Sequence, residues 1–294
     1  MTRIGRRGAG AAAGRCRRPG PRQALSRGAA AQAAAWDANA SAWSEFLRHG
    51  DRHREGLLDA AMLAALRPLR GAAILDAGCG EGRFVRSLSA AGAARVLGVD
   101  VSERLISEAR RRGRALPAAV RARLGYETGD AARLPRHRDA SFDAVVSYLS
   151  LMHFADPGAA LAEWARLLAP GGRLVAVLPH PFTQAPGAHW LAELPPVMRG
   201  AVPSLTSLAV GEYFERARVR FRFGPGFPAA TVNLHRPLAE WSGLLAAAGF
   251  VVERLWEPRP SAAQARRDPA WEPYRRVPYF LLWRARRAAQ GRAR

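Results

Sequence analysis

The chain has 294 residues, of which 49% are hydrophobic, enough apolar material for one large α/β domain with an elaboration or for two small domains. The sequence has no run of about 18 apolar residues, which argues against a transmembrane helix. Its two cysteines, Cys16 and Cys79, lie in an Arg-rich segment and in a glycine loop. This placement argues against a disulfide framework or a metal cluster, so we expect a cytoplasmic protein with no metal and no membrane association.

The net charge of +21 is typical of proteins that bind nucleic acid or anionic membranes. All 45 basic residues, however, are Arg, and Ala, Gly and Pro are abundant. A GC-rich genome produces this bias without selection for a partner. Thirteen of the arginines lie in the two ends of the chain, 1–34 and 284–294, which contain no acidic residue. The charge is therefore weak evidence for a polyanion, and nucleic acid is not the partner that we expect.

The N-terminal 34 residues are rich in Ala, Gly and Arg and show no apolar periodicity, so we predict a disordered tail over 1–34. Beyond it, Trp36, Trp43, Phe46 and Leu47 have the spacing of one helix face, and a second apolar helix covers roughly 55–67. We predict one domain over 35–284, followed by a basic C-terminal tail at 285–294.

Short apolar strands then alternate with amphipathic helices. We predict strands at 73–77, 95–100, 124–128, 142–148 and 174–178. The regularity lapses over about 179–236, a stretch that ends in a predicted hairpin around GPG (224–226). A helix at 237–249 and two strands near 250–256 and 277–283 follow. This order predicts an α/β fold with a doubly wound, seven-stranded, mostly parallel sheet. We interpret 179–236, between the fifth strand and the following helix, as an inserted lid over the ligand site.

The first strand runs into the glycine loop DAGCGEG (76–82), which opens a helix. Glycines at such a turn let the backbone approach a ligand closely. Dinucleotide enzymes use a similar loop, but Arg83 occupies the position where they place a third glycine. Asp76, at the strand end, could meet an ammonium group. Asp100 follows Gly80 by twenty residues and could accept two hydrogen bonds from a ribose diol, while Ser102 is a sufficient cap for the next helix.

Five segments in order resemble the class I (Rossmann-like) S-adenosylmethionine-dependent methyltransferases, in particular their small-molecule branch. They are ILDAGCGEG (74–82), VLGVDVS (96–102), GDAARLP (129–135), SFDAVVSY (141–148) and LLAPGGRL (167–174). The resemblance implies S-adenosylmethionine as the cofactor and a small molecule as the methyl acceptor. It also implies a set of cofactor contacts: the methionine end with Asp76, Gly78 and Gly80, the ribose with Asp100, the adenine with Asp130 and Ala131, and further contacts from Val101 and Tyr148.

Methyl transfer from a sulfonium is an in-line displacement, for which alignment alone can supply roughly 7–11 kcal/mol. A general base is needed only if the attacking atom starts protonated. The candidates are His180, His235 and His153, which we expect together at one edge of the sheet. We favour His180 and His235, because His153 has packing beneath the cofactor as an alternative role. Arginines at 216, 218, 220 and 222 alternate with apolar residues; a solvated strand face is the favoured interpretation and a clamp for an acidic acceptor the alternative.

Three other functions compete with this prediction. A nucleic-acid methyltransferase that acts on amino groups would carry an Asp/Asn-Pro-Pro-aromatic box after the fourth strand, where this chain has SYLS (147–150). One that methylates C5 would need a cysteine nucleophile, and Cys79 belongs to the glycine loop. A non-catalytic S-adenosylmethionine-binding protein is the second alternative, and a nicotinamide oxidoreductase is the third.

Overall fold

A seven-stranded sheet forms the centre of the protein in the computed structural model, which describes residues 25–191 and 207–288. Its strands are β1 (Ala73–Ala77), β2 (Arg95–Asp100), β3 (Leu124–Thr128), β4 (Phe142–Tyr148), β5 (Leu168–Pro179), β10 (Phe250–Trp256) and β11 (Phe280–Arg287). They lie in the order β3-β2-β1-β4-β5-β11-β10. The first five pair in parallel, and β11 is antiparallel to both β5 and β10. The predicted doubly wound, mostly parallel α/β sheet is confirmed.

Helices cover both faces of this sheet. The helices of the parallel half are α1 (Arg27–Arg48), α2 (Asp59–Ala65), α3 (Arg83–Ala90), α4 (Glu103–Arg114), α5 (Ala118–Arg121) and α6 (Pro157–Leu167). A π-helical turn (Arg54–Leu58) precedes α2, and a 3₁₀ turn (Leu151–His153) follows β4. Later in the chain come α7 (Pro181–Gln184), α8 (Leu238–Ala247), α9 (Ala262–Arg267) and α10 (Glu272–Arg276). The sequence pattern did not predict the short helices α5, α9 and α10.

The two faces of the sheet bury separate apolar cores. Trp164, Trp241 and Trp283 anchor the core beneath α6 and α8, whereas Met62 and Phe84 pack into the core beneath α2 and α3. Such continuous burial on both faces explains why the central strands read as unbroken apolar runs in the sequence. In the described part of the chain, no helix has both the length and the apolarity to cross a membrane.

The segment between β5 and α8 carries four further strands. In it, β6 (His189–Leu191) pairs with β7 (Ser207–Ala209), and β8 (Ala217–Phe221) pairs with β9 (Thr231–His235), both antiparallel. The second pair is the predicted hairpin. The first pair was not predicted, because each of its strands has three residues, too few to show alternation. The fifth sheet strand also begins at Leu168, earlier than the predicted residue 174.

Two predicted boundaries need correction. The tail that we expected to be disordered over 1–34 includes the first turns of α1, which begins at Arg27 behind the N-cap Ser26. Gln32 and Ala33 are buried there, so tertiary contacts order a segment whose composition gave no helical signal. The prediction for 1–24 lies outside the described residues. At the other end, β11 runs to Arg287 and pairs Ala285 with Leu174, so the expected C-terminal tail (285–294) starts inside the sheet.

Candidate active site

The carboxyl ends of β1 and β2 are joined by hydrogen bonds through the glycine loop. Gly78 and Gly80 have positive φ angles of 79° and 57°, which favour glycine. A Cβ atom on Gly78 would lie 2.5 Å from the Cβ atom of Ser150, so the loop can approach the segment after β4 this closely only with glycine there. The Gly78 and Cys79 N–H groups both donate to the Val99 carbonyl, at 2.8 and 3.0 Å. The sequence therefore folds this loop against the end of β2.

Asp100 ties the loop to the start of α4. One carboxylate oxygen accepts the Gly80 N–H at 2.8 Å, and the other accepts the Ser102 N–H at 2.9 Å. Ser102 caps α4 by accepting the Leu105 N–H, as predicted. Burial raises the pKa of Asp100 to about 6 although the two N–H donors act in the opposite direction. A carboxylate oxygen can accept more than one hydrogen bond, so both oxygens keep capacity for a ligand.

A cavity opens at this edge of the sheet, and every residue that we predicted to bind a cofactor lines it. Its described lining comes from the loops after β1, β2, β3 and β4 and from one side of α1. The predicted residues in the lining are Asp76, Gly78, Gly80, Asp100, Val101, Asp130, Ala131 and Tyr148. Residues from four separate strand ends thus share one space, the usual position of a ligand in an open α/β sheet.

Asp76 is the least compensated polar group in the cavity. Asp76 is 1% exposed, and neither of its carboxylate oxygens has a hydrogen-bond partner among the described residues. Burial, with a further contribution from the negative charge of Asp100, raises the pKa of Asp76 to about 7. A buried carboxylate without a partner is costly, since it has lost its hydration without gaining hydrogen bonds. Asp76 is therefore a site at which a cationic group would be strongly stabilised.

Asp130 reaches the lining from the loop after β3. One of its oxygens accepts the Ala132 N–H at 2.9 Å, and burial raises its pKa. The neighbouring Ala131 is buried, and its carbonyl accepts the Trp164 indole N–H at 2.9 Å. The backbone after β3 is thus held firmly, with the second Asp130 oxygen left as an acceptor.

Tyr148 belongs to a charged cluster near Asp76. Its hydroxyl donates to Asp59 at 2.8 Å, and Arg83 binds the same carboxylate through two hydrogen bonds of 2.7 and 2.8 Å. Arg54 forms an ion pair with Asp51, and its guanidinium lies 5.6 Å from the centre of the Tyr148 ring. Both arginines line the cavity. We had noted Arg83 only as the residue in place of a third glycine, because its pairing with Asp59 joins residues distant in the sequence. Arg54, which is held by the nearby Asp51, had no sequence signal.

The three candidate histidines are not brought together. His153 lines the cavity, whereas His180 and His235 are absent from its described lining. His180 is 1% exposed; its Nδ1 accepts the Phe182 N–H, and its Nε2 lies 3.2 Å from a Glu257 oxygen. His235 is also buried, and its Nε2 donates to the Tyr213 carbonyl at 2.8 Å. These two side chains therefore make buried contacts away from the described lining, contrary to our ranking.

His153 donates its Nδ1–H to the Val232 carbonyl of β9 at 2.9 Å. Because a carbonyl accepts but cannot donate, this contact assigns the proton to Nδ1 and leaves Nε2 as an unprotonated acceptor. Burial lowers the pKa of His153 to about 4. The imidazole is therefore neutral at physiological pH.

Helix α1 forms the roof of the cavity, a role that the sequence did not reveal. Ala29, Gln32, Trp36, Trp43 and Leu47 all contribute to the lining. The ring of Trp36 packs against His153 with a centroid distance of 5.3 Å. The helical spacing of the Trp and Leu residues predicts an apolar face, but what that face covers depends on the tertiary structure.

The arginine row does not form an acceptor clamp. Phe221 and Phe223 pack toward His153, Trp36 and Trp43. Arg218 and Arg220 alternate with the half-buried side of β8 and are exposed, and Arg216 is paired with Glu240. The favoured interpretation of a solvated strand face agrees with this arrangement.

Comparisons with known proteins agree on one family. Residues 75–176 match the family model described as a methyltransferase domain. The chain is 37% identical over 139 residues to the O-methyltransferase cnsE of Penicillium expansum, covering 45% of this chain and 49% of that protein. It is 39% identical over 140 residues to the 27-O-demethylrifamycin SV methyltransferase of Amycolatopsis mediterranei, covering 45% and 50%. The chain thus spans about half the length of these curated relatives.

Solved structures extend the similarity over most of the chain. The crystal structure of an S-adenosylmethionine-dependent methyltransferase from Mesorhizobium loti superposes with a TM-score of 0.66 at 28% identity, covering 81% of this chain and 99% of that one. The sheet order and the acids at its carboxyl edge define a Rossmann-like α/β domain. With the family match across β1 to β5, the described domain has the fold and the sequence signature of the class I S-adenosylmethionine-dependent methyltransferases.

Proposed function

We propose that the chain transfers a methyl group from S-adenosylmethionine to a small-molecule acceptor. The observation that carries this proposal is the buried, unpartnered carboxylate of Asp76 in a cavity that also contains Asp100 and Asp130. The cofactor presents an ammonium, a ribose diol and an adenine amino group, and each is a hydrogen-bond donor. Three carboxylates at three strand ends provide the matching acceptors.

The lining residues fit the cofactor in one order. We assign Asp76, Gly78 and Gly80 to the methionine end, Asp100 with Val101 to the ribose, and Asp130 with Ala131 to the adenine. Tyr148 lies beside Arg54 and Arg83 near Asp76. These two cations are the groups in the lining that suit the methionine carboxylate. When bound, the cofactor supplies an activated methyl group, and the chain holds and orients it and excludes water.

His153 is the residue that we propose as proton acceptor. Its Nε2 is unprotonated, and the side chain lines the cavity. A histidine with a pKa of about 4 is a weak base toward a free hydroxyl. The same hydroxyl becomes strongly acidic as its oxygen forms a third bond, to the methyl carbon, and gains positive charge, so even a weak base suffices when proton transfer is late. His180 and His235 are outside the described lining and are engaged with Phe182 and Glu257 and with Tyr213, so they do not carry this proposal.

Binding of the demethylated cofactor product is the first test. We expect the purified protein to bind S-adenosylhomocysteine with a dissociation constant on the order of micromolar, because the three carboxylates match its donors. Isothermal titration calorimetry measures this directly, with NAD as the control ligand. Heat of binding with NAD and none with S-adenosylhomocysteine would refute the assignment of the cofactor.

The second test separates binding from methyl transfer. We expect His153→Gln to leave S-adenosylhomocysteine affinity within about twofold and to lower methyl transfer by roughly 100-fold, the usual contribution of a positioned base. Methyl transfer is followed by mass spectrometry of a metabolite extract incubated with isotopically labelled cofactor. The matched control is His49→Gln at the exposed end of α1. Equal methyl transfer by both variants would remove His153 from the mechanism.

A further inference from the structure

One wall of the cavity is chemically distinct from the cofactor-binding loops. We call it the acceptor wall, and it consists of residues of α1 and of the segment that follows β4. Its described members are Ala29, Gln32, Trp36, Trp43, Leu47, Leu149, Ser150, His153, Phe154 and Ala155. None of these side chains carries a fixed charge, and most are apolar. A ligand part that rests on this wall is therefore largely apolar itself.

Two polar side chains of the acceptor wall meet at one backbone oxygen. The Gln32 Nε2 and the His153 Nδ1 both donate to the Val232 carbonyl, at 3.3 and 2.9 Å. Because of these contacts, the Nε2 atom of Gln32 and the Nδ1 atom of His153 face β9. They leave Gln32 Oε1 and His153 Nε2 as hydrogen-bond acceptors that have no partner among the described residues. Such a pair selects a ligand that can donate.

The charges around the cavity disfavour an anionic acceptor. Arg54 and Arg83, the two cations in the described lining, are each paired with a carboxylate, Asp51 and Asp59, and both are assigned above to the methionine carboxylate of the cofactor. The lining also contains four acidic side chains, those of Asp76, Glu81, Asp100 and Asp130. A carboxylate brought against the acceptor wall would have no free cation as its partner and would lose its hydration.

Strained backbone marks the point where this wall meets the cofactor loops. Leu149 adopts a φ of 53°, a left-handed conformation that is rare for a residue with a large side chain. Its N–H donates to the Val177 carbonyl at 2.9 Å, which holds the turn between β4 and the 3₁₀ turn. His153 is the last residue of that 3₁₀ turn, and the bend at Leu149 therefore leads directly into the residues that bring His153 to the cavity lining.

From these features we infer that the methyl acceptor is a neutral, flat, largely apolar compound whose hydroxyl group donates to His153, that is, a phenol-type aromatic alcohol. The inference rests on the proposed function and names its substrate class. Trp36 and Phe154 supply flat aromatic surfaces in the wall. Gln32 offers a second acceptor for another hydroxyl of the same compound.

The reaction balances with groups already named. The hydroxyl oxygen of the acceptor forms a bond to the methyl carbon, the carbon–sulfur bond breaks, and its electron pair stays on sulfur. The hydroxyl proton moves to His153 Nε2 as the new bond forms. The products are a methyl ether, S-adenosylhomocysteine and a protonated His153, which releases its proton to solvent because burial keeps its pKa low.

Three probes of one shape test the inference without a known substrate. They are 2-naphthol, which is neutral and donates, 2-methoxynaphthalene, which cannot donate, and 2-naphthoate, which is an anion. Each is titrated by calorimetry into full-length protein saturated with S-adenosylhomocysteine. We expect 2-naphthol to bind at least about tenfold more tightly than either other probe, from the lost hydrogen bond in one case and the unpaired charge in the other.

The outcomes separate the two proposals. Failure of S-adenosylhomocysteine itself to bind overturns the proposed function. Binding of S-adenosylhomocysteine together with equal or tighter binding of 2-naphthoate overturns the substrate class alone. A variant sharpens the result: His153→Phe should abolish the preference for 2-naphthol over 2-methoxynaphthalene, whereas His49→Phe should retain it. Retained S-adenosylhomocysteine binding by each variant shows that it is folded, and the comparison of probes on the unaltered protein needs no variant.

Discussion

Replacing Asp76 with Asn is expected to weaken cofactor binding by about tenfold to a hundredfold, the range of a hydrogen bond to a charged group. The same change should stabilise the ligand-free protein at pH 8. Asp76 has no hydrogen-bond partner and a pKa raised to about 7, so above that pH its charge is buried at a cost on the order of 4 kcal/mol. An amide side chain does not carry that charge.

The pH dependence follows from the direction of the shift. Because folding raises the pKa of Asp76 from 3.8 to about 7, the folded protein holds more protons than the unfolded protein between these values. The free energy of unfolding therefore falls as pH rises through this window. Ligand-free wild type should lose thermal stability between pH 6 and pH 8, and Asp76→Asn should lose much less. Cofactor affinity should change in the opposite sense, weakening below about pH 7 as Asp76 becomes protonated.

Calorimetry across pH 6 to 8, with thermal unfolding of the same samples, checks both effects. The matched control is Asp143→Asn, which makes the same substitution at the opposite end of the sheet, where Asp143 accepts the Ala73 N–H. That variant should keep both cofactor affinity and the pH dependence of stability. If Asp76→Asn bound the cofactor as tightly as wild type and melted at the same temperature, Asp76 would be neither a ligand nor a buried charge.

Asp100→Ala is expected to reduce cofactor affinity by about a hundredfold or more, since two hydrogen bonds to the ribose would be lost. The loss also includes the contacts that hold the loop, because the Gly80 and Ser102 N–H groups would no longer have their acceptor. Asp100→Asn keeps one oxygen and should fall between Ala and wild type. Both variants are measured with S-adenosylhomocysteine by calorimetry.

Exposed Asp139 provides the control for this series, because it is paired only with Arg166 at the surface. Asp139→Ala should bind like wild type. Unchanged affinity in Asp100→Ala would mean that the segment after β2 does not bind the ribose, even though Asp100 lines the cavity. A thermal unfolding curve for each variant separates lost contacts with the ligand from a loop that has collapsed.

Local pattern was sufficient for the parallel half of the fold. The bounds of β1, β2, β3 and β4 agree with the predicted strands, because strands buried on both faces are short apolar runs between turn residues. The acids after β1, β2 and β3 could also be placed in one site, since the carboxyl ends of parallel strands share one edge. Composition gave the wrong prediction at the start of α1. This Ala-rich segment resembled a disordered tail, yet Gly28 packs so closely on Ala155 that a Cβ atom at Gly28 would lie 2.6 Å from the Ala155 Cβ atom.

The sequence by itself determined the Rossmann-like sheet and placed the acids Asp76, Asp100 and Asp130 at its edge. The signals for these features are short apolar strands, turn glycines and the alternation of strands with helices, and each of them lies within a short stretch of the chain. Only the tertiary structure decided which histidine lines the cavity and what covers it. The contacts responsible join distant residues: Val232 holds His153, and Asp59 holds Arg83 and Tyr148. Hydrogen bonds between distant residues produce no periodic pattern in the sequence. The position of α1 over the cavity and the residues of the acceptor wall could therefore be recognised only in the folded structure.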